Sequence, residues 1–227
     1  MEEEVVNINN KQVRFSDAAW YRAGAQDIII GGAGGIGSWL SLFLGRIGHN
    51  LYLFDNDTIE EVNMAGQLYS VNQIGKNKAA AIAETIYAFS GNSNVETLGL
   101  YTEESEISPI MFSAFDNMKA RKTMFSNWMK QEDREVFIDG RVLAEVGMVF
   151  CVQKGQEEEY IKYLFDDSEI EEAPCSFKAT SHCGALIASL MTAVFNNYLA
   201  NRFLEMEVRQ VNFKTDFELP SLNFQEM

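Results

Sequence analysis

A chain of 227 residues with 47% hydrophobic composition can bury a substantial core, which excludes an intrinsically disordered protein. Its net charge of −15 argues against duplex nucleic acid and anionic membranes as charge-driven partners, because phosphate contacts need clustered Lys and Arg. The acidic Glu2–Glu4 lead lacks the positive flank of a secretory signal, and the three cysteines include no C-x-x-C pair, so no zinc is expected and a reducing cytoplasm is the expected location.

Residues 1–25 read as an N-terminal extension, with a short helix over Ser16 to Arg22 and Ser16 as its N-cap. Residues 26–227 read as a single nucleotide-binding domain. It opens with a β–α–β unit from Asp27 to Asp55. The β-branched run Ile28-Ile29-Ile30 enters a glycine turn in which Gly32, Gly34 and Gly37 supply the G-x-G-x-x-G spacing, with Gly35 beside them. Such a turn lets the backbone approach a phosphate, and the following helix start presents free N–H groups and a positive dipole end. Leu51 to Phe54 then forms a second strand ending on Asp55, where a carboxylate can accept hydrogen bonds from ribose hydroxyls.

Further along, a helix is expected behind Gly75 within Ile74 to Tyr87, opened by Lys78, strands over Val95 to Leu100 and Pro109 to Phe115, a helix from Asn117 to about Met129, and a strand over Glu135 to Asp139. After Asp139 the texture changes. Glu145 to Gln153 and Val208 to Phe213 read as strands of an antiparallel edge, and a helix from Gly184 to Phe203 lies between them. The apolar run Ala185 to Val194 is too short to span a bilayer and reads as a core helix. The acidic Gln156 to Pro174 reads as a loop or lid. The fold class is therefore α/β: a Rossmann-like, mostly parallel sheet flanked by helices, with antiparallel edge strands in the C-terminal part.

Asp57, Asn63, Gln67, Lys78, Asp116, Asn117 and Arg121 all fall at strand ends or helix starts, which converge on one crevice in an open α/β sheet. A lysine and a carboxylate facing a nucleotide suit phosphoryl or adenylyl chemistry, since lysine neutralises phosphate charge and Asp can hold Mg²⁺.

These segments carry a resemblance. IIIGGAGGIGSW, LFDNDTIEEVN, IGKNKAAAIAETI and FDNMKAR together are similar to the ThiF/MoeB-type adenylyltransferases, relatives of the ubiquitin-activating enzymes. The likeness is close over Asp27 to Arg121 and looser from Ile138 to Arg202; short phage- and plasmid-borne members are the most similar in size. The resemblance implies a homodimer that binds ATP and Mg²⁺, adenylates the C-terminal carboxylate of a small ubiquitin-fold or sulfur-carrier-like protein and releases pyrophosphate. It places Gly32, Gly34, Gly35 and Gly37 along the ATP phosphates, Asp55 on the ribose and Asp57 near the adenylate. Asn63, Gln67, Lys78 and Asn117 would line the nucleotide, with Lys78 on the phosphates and Asp116 on Mg²⁺.

Two departures from the family pattern matter. The family's N-x-x-R-Q reads Asn63-Met64-Ala65-Gly66-Gln67 here, so the charge-stabilising arginine is Gly66. Arg14 is the candidate substitute, reaching across a dimer as an arginine finger; the alternative is an ordinary surface arginine. Secondly, relatives with a thioester step use a nucleophilic cysteine. Cys175, with Lys178 and His182 nearby, is the candidate for that role, although Glu171 and Glu172 would raise its pKa and the alternative is a small structural residue. Two other functions stay open: a catalytically degraded ATP-binding scaffold of the same fold, and an NAD(P)-dependent oxidoreductase.

Overall fold

The computed structural model describes residues 11–143, 145–166 and 180–226. In chain order these form α1 (Ala19–Arg22), β1 (Asp27–Gly31), α2 (Gly37–Ile47), β2 (Asn50–Phe54), α3 (Lys78–Ser90), β3 (Val95–Leu98), β4 (Ile110–Ser113), α4 (Met118–Met129), β5 (Val136–Leu143), β6 (Val146–Gln153), α5 (Glu157–Ile161), α6 (Ser181–Leu204), β7 (Lys214–Glu218) and β8 (Asn223–Glu226). Two 3-10 turns, Glu61–Asn63 and Val71–Gln73, lie between β2 and α3.

The strands build one eight-stranded sheet in the order β3-β2-β1-β4-β5-β6-β7-β8. β3 through β5 pair in parallel, and β5 through β8 pair antiparallel. The Rossmann-like expectation with an antiparallel edge is borne out. The chain runs outward from β1 to β3 and then returns to place β4 on the other side of β1. The gap between β1 and β4 is thus the topological switch point, where ligands bind in such sheets.

Both faces of β1 are buried, which is why it reads as an unbroken apolar run rather than an alternation. Ile28 and Ile30 face α2, α3 and α6, joining Leu40, Ile82, Ile187 and Phe195. Ile29 faces the other way, toward Phe125 and Trp128 of α4 and Tyr160 of α5. Each of these large side chains contributes about 1.5–3 kcal/mol by leaving water.

α3 opens at Lys78 as expected, because the Asn77 side chain caps it by accepting from Ala80 N at 3.0 Å. Several other element boundaries differ from expectation. α1 begins at Ala19, and Ser16 is no cap: its hydroxyl donates to Val13 O at 3.0 Å. The strand expected over Val208 to Phe213 lies instead at Lys214–Glu218. Residues 208–210 are held by α6, where Asn201 Oδ1 accepts from Val208 N and Arg209 N and Asn197 Nδ2 donates to Gln210 O. The expected loop Gln156 to Pro174 includes α5, and its part beyond Asp166 lies outside the described residues. α6 extends well past the ten-residue run read from the sequence and has the length and composition to cross a bilayer; here Cys183, Ile187, Met191, Phe195 and Leu199 bury it against the sheet.

His49, in the turn between α2 and β2, is buried. Its Nδ1 accepts from Gln26 N at 3.1 Å, its ring meets Phe195 edge-on, and burial pushes its pKa down to about 4. The folded-state value lies below the unfolded one, so the unfolded chain binds more protons below pH 6.5. Stability attributable to neutral His49 is therefore complete above pH 6.5 and is lost as pH falls toward about 4. Between pH 7 and 5.5 the wild type is expected to lose about 1 kcal/mol more than His49→Gln in urea unfolding. Equal losses in the two proteins would show that the fold does not hold this imidazole neutral.

Candidate active site

The glycine turn sits in the β1–β4 gap. Gly32 has φ +91°, and a Cβ there would lie 2.8 Å from Ala114 O at the end of β4. A Cβ on Gly37 would lie 1.8 Å from Gly32 O, so the first turn of α2 can rest on the loop only as glycine. Gly34 and Gly35 differ from these two: a Cβ on either would meet nothing within 4 Å, leaving space over the loop for a ligand.

The loop is held at Ala33 from both sides. Ala33 N donates to Asp55 Oδ2 at 2.7 Å, and Tyr69 OH donates to Ala33 O at 2.5 Å. Leu68 N donates to Ser38 Oγ at 3.0 Å, tying the Asn63–Tyr69 segment to α2. Burial raises the Asp55 pKa, partly offset by the N–H groups of Ala33 and Asp57. Each Asp55 oxygen accepts one backbone N–H, from Ala33 or Asp57, and keeps a second lone pair for a ribose hydroxyl.

Lys78 opens α3 with its side chain largely buried, and its Nζ donates to Asp57 Oδ2 at 2.8 Å while Asp57 stays exposed. Asn77 Nδ2 bridges the carbonyls of Asp55 and Asp57, so the β2 end and the α3 start form one unit. Asn63 Oδ1 accepts from Glu60 N at 2.8 Å, and Gln67 Oε1 is buried without a partner among the described residues. That orphaned acceptor beside the loop fits a donor supplied by a ligand.

Across the gap, Asp116 is exposed just past β4. Asn117 Nδ2 donates to Asp116 Oδ1 at 3.3 Å, while Asn117 Oδ1 caps α4 by accepting from Ala120 N. The Asn117 side chain is thus engaged within the protein. No group of three or more His, Cys, Asp or Glu suited to a metal occurs among the described residues. A lone Asp116 matches the one or two carboxylates that Mg²⁺ takes when phosphates complete its shell.

Other candidate residues are not brought to this crevice. Arg14 is exposed at the opposite end of the sheet, in a segment where Gln12 Nε2 donates to Ile47 O and Lys11 Nζ to Ser90 O, the ends of α2 and α3. Cys175 lies outside the described residues. Cys183 is buried at the start of α6 and receives the Thr180 hydroxyl at 3.1 Å; Cys151 is buried in β6, its thiol pushed up to about 12 by burial.

Sequence reasoning missed a buried charge cluster beneath Asp116. Asp139 on β5 is fully buried, with Oδ1 accepting from Arg121 Nε and Oδ2 from Arg141 Nε, both at 2.6 Å, and from Tyr160 OH at 2.8 Å. Burial alone would raise its pKa, but the two guanidiniums outweigh that and hold it low. The available signal was Asp139 and Arg141 at i and i+2 in a buried run, which places both on one face of a strand.

The ThiF family model matches residues 9–227. The chain belongs to the ThiF family. This ThiF-family chain is 30% identical to ubiquitin-like modifier-activating enzyme 5 of Dictyostelium discoideum, a match covering 51% of this chain and 37% of that protein. The match thus spans little more than a third of that curated relative. Among solved structures, Escherichia coli MccB with selenomethionyl MccA superposes with a TM-score of 0.72 at 17% identity, covering 99% of this chain and 72% of that one. PaaA gives 0.71 at 19%, covering 100% and 74%. MccB with ATP gives 0.69 at 16%, covering 97% and 70%. These likenesses establish a common fold.

In the ThiF-family chain the N-terminal turn of α6 also abuts the loop, since a Cβ on Gly184 would lie 2.2 Å from Gly35 O. Gly184→Ala is expected to lower stability by about 1–3 kcal/mol in urea unfolding. Gly34→Ala, which enters open space, is expected to change it far less. Equal midpoints for the two variants would show that α6 does not bear on the loop.

Proposed function

We propose that the protein adenylates the C-terminal carboxylate of a small ubiquitin-fold or sulfur-carrier-like protein with Mg·ATP, working as a homodimer. The observation that carries this reading is convergence at one switch point of the open glycine turn, Asp55, the buried Lys78 and the exposed Asp116. The similarity to a ubiquitin-like modifier-activating enzyme and to MccB, solved with ATP and with MccA, supports the same chemistry.

In this reading the loop N–H groups and the α2 start receive phosphate oxygens, and Asp55 receives the ribose. Lys78 releases Asp57 to face phosphate. Asp116 would hold Mg²⁺, which supplies neutralisation of the phosphate charge. A carboxylate oxygen of the carrier attacks the α-phosphorus, the bond from that phosphorus to the bridging oxygen breaks, and pyrophosphate leaves with the electron pair. The product is a mixed anhydride between carrier and AMP.

Gly66 leaves this machinery short of one arginine. Its backbone lies outside the positive-φ region, so the turn does not itself demand glycine. Arg22, Arg46, Arg121, Arg134, Arg141, Arg202 and Arg209 all have partners within the chain, whereas Arg14 has none among the described residues. Its distance from the site of its own chain means that it could act only on a second copy. The second reading, a degraded ATP-binding member, rests on Gly66 alone. Absence of ATP–pyrophosphate exchange with every ubiquitin-fold carrier tried would favour it, and binding of NADH but not ATP would overturn the nucleotide assignment.

Asp116→Ala is expected to abolish Mg·ATP binding with an unchanged thermal unfolding curve; unaltered affinity would refute its role. Arg14→Ala is expected to slow exchange on the order of 10²–10³-fold, with the dimer intact by sedimentation. Adding Gly66→Arg to that variant is expected to recover much of the loss. A wild-type rate for Arg14→Ala would remove Arg14 from the reaction.

A further inference from the structure

We infer that Arg121 is a positioning residue for Asp116: mounted on the buried Asp139 carboxylate, its guanidinium sets the peptide that carries the metal-binding group. The inference rests on the Mg·ATP reading above. Asp116 is exposed, and among the described residues the side-chain contact to its carboxylate is the long one from its neighbour Asn117. Side-chain packing therefore does little to aim it, and its backbone must.

That backbone is held by Arg121. Its NH2 group donates to Phe115 O at 2.7 Å, the carbonyl of the amide that ends at Asp116 N. From the same guanidinium, Nε donates to Asp139 Oδ1 at 2.6 Å, and NH2 also lies 3.4 Å from Gly140 O. One rigid plane thus fixes the β4–α4 corner against the middle of β5, which runs on past the expected end at Asp139 to Leu143. Asp139 is fixed in turn, because Arg141 and Tyr160 take its other oxygen. Arg141 is anchored by donating to Tyr163 O at 2.8 Å and by lying over the Phe150 ring, 4.6 Å from its centroid.

A buried ion pair contributes little net stability, since desolvation offsets attraction, so stability alone gives weak reason to bury this one. Direction is what a planar fork adds. A lysine can satisfy the Asp139 charge, but its donors rotate on one nitrogen and lack the rigid fork that spans the carboxylate and the Phe115 carbonyl. Arg121 and Arg141 pair equally closely with Asp139, yet only Arg121 touches the peptide of Asp116. The two arginines therefore separate positioning from structural support.

The test is titration calorimetry of the full chain with the non-hydrolysable analogue AMPCPP, in Mg²⁺ and in EDTA, alongside thermal unfolding. Wild type is expected to bind more tightly with Mg²⁺. Arg121→Lys is expected to lose on the order of 10-fold or more of that Mg²⁺-dependent gain, with its affinity in EDTA unchanged. Arg141→Lys is expected to lose stability but keep the gain. Should Arg121→Lys not fold, Arg121→Gln, which leaves Asp139 paired with Arg141 and Tyr160, is judged by the same criterion. Retention of the full gain without Arg121, or equal loss in the two lysine variants, would overturn the inference. A wild type that binds AMPCPP equally with and without Mg²⁺ would instead overturn the metal reading, and this inference with it.

Discussion

The contact on which the rest of the site depends is the approach of the glycine turn to the end of β4. Gly32 faces the Ala114 carbonyl and Gly37 faces Gly32, each at a separation that any side chain would break. Because the turn closes there, α2 starts directly over the β1–β4 gap, with the positive end of its dipole at the crevice. Asp55 and Tyr69 then hold Ala33 by its N–H and its carbonyl, so the loop is shaped before any ligand arrives.

The two halves of the crevice are braced differently. On the β2 side the bracing is half-buried, through Asn77 and the pair between buried Lys78 and exposed Asp57. On the β4 side it is buried, through Arg121, Asp139 and Arg141. An ion pair with one exposed partner can exchange that partner for a ligand, whereas a fully buried charge cluster is strongly penalised for losing a member. One wall of the crevice is thus adjustable and the other is rigid.

The first β–α–β unit was legible because its signals are local: a β-branched run, glycine spacing and an acid at a strand end all fall within Asp27 to Asp55. The places of Lys78 and Asp116 at element boundaries were legible for the same reason. What was not legible depends on distant partners. VRQVNFKTDFE supports a strand at either end, and the choice was made by Asn197 and Asn201 on α6, which capture the backbone of 208–210. β8 is short and polar and gave no periodic signal. Asp139 was visible as a strand-end acid, but pairing with two arginines, one of them on another element, is a property of the folded sheet. Tyr69 and Gly184 touch the loop through tertiary contacts that no spacing rule anticipates.

The Lys78–Asp57 pair carries a consequence for how charge enters the site. A triphosphate that takes Lys78 displaces a carboxylate already there, so the electrostatic gain at that lysine is the difference between two ion pairs rather than the whole of one. Added salt screens the departing pair as well as the arriving one. On the proposed reading Lys78 would be an ion-exchange position, and the ionic strength of the medium should then bear only shallowly on nucleotide affinity.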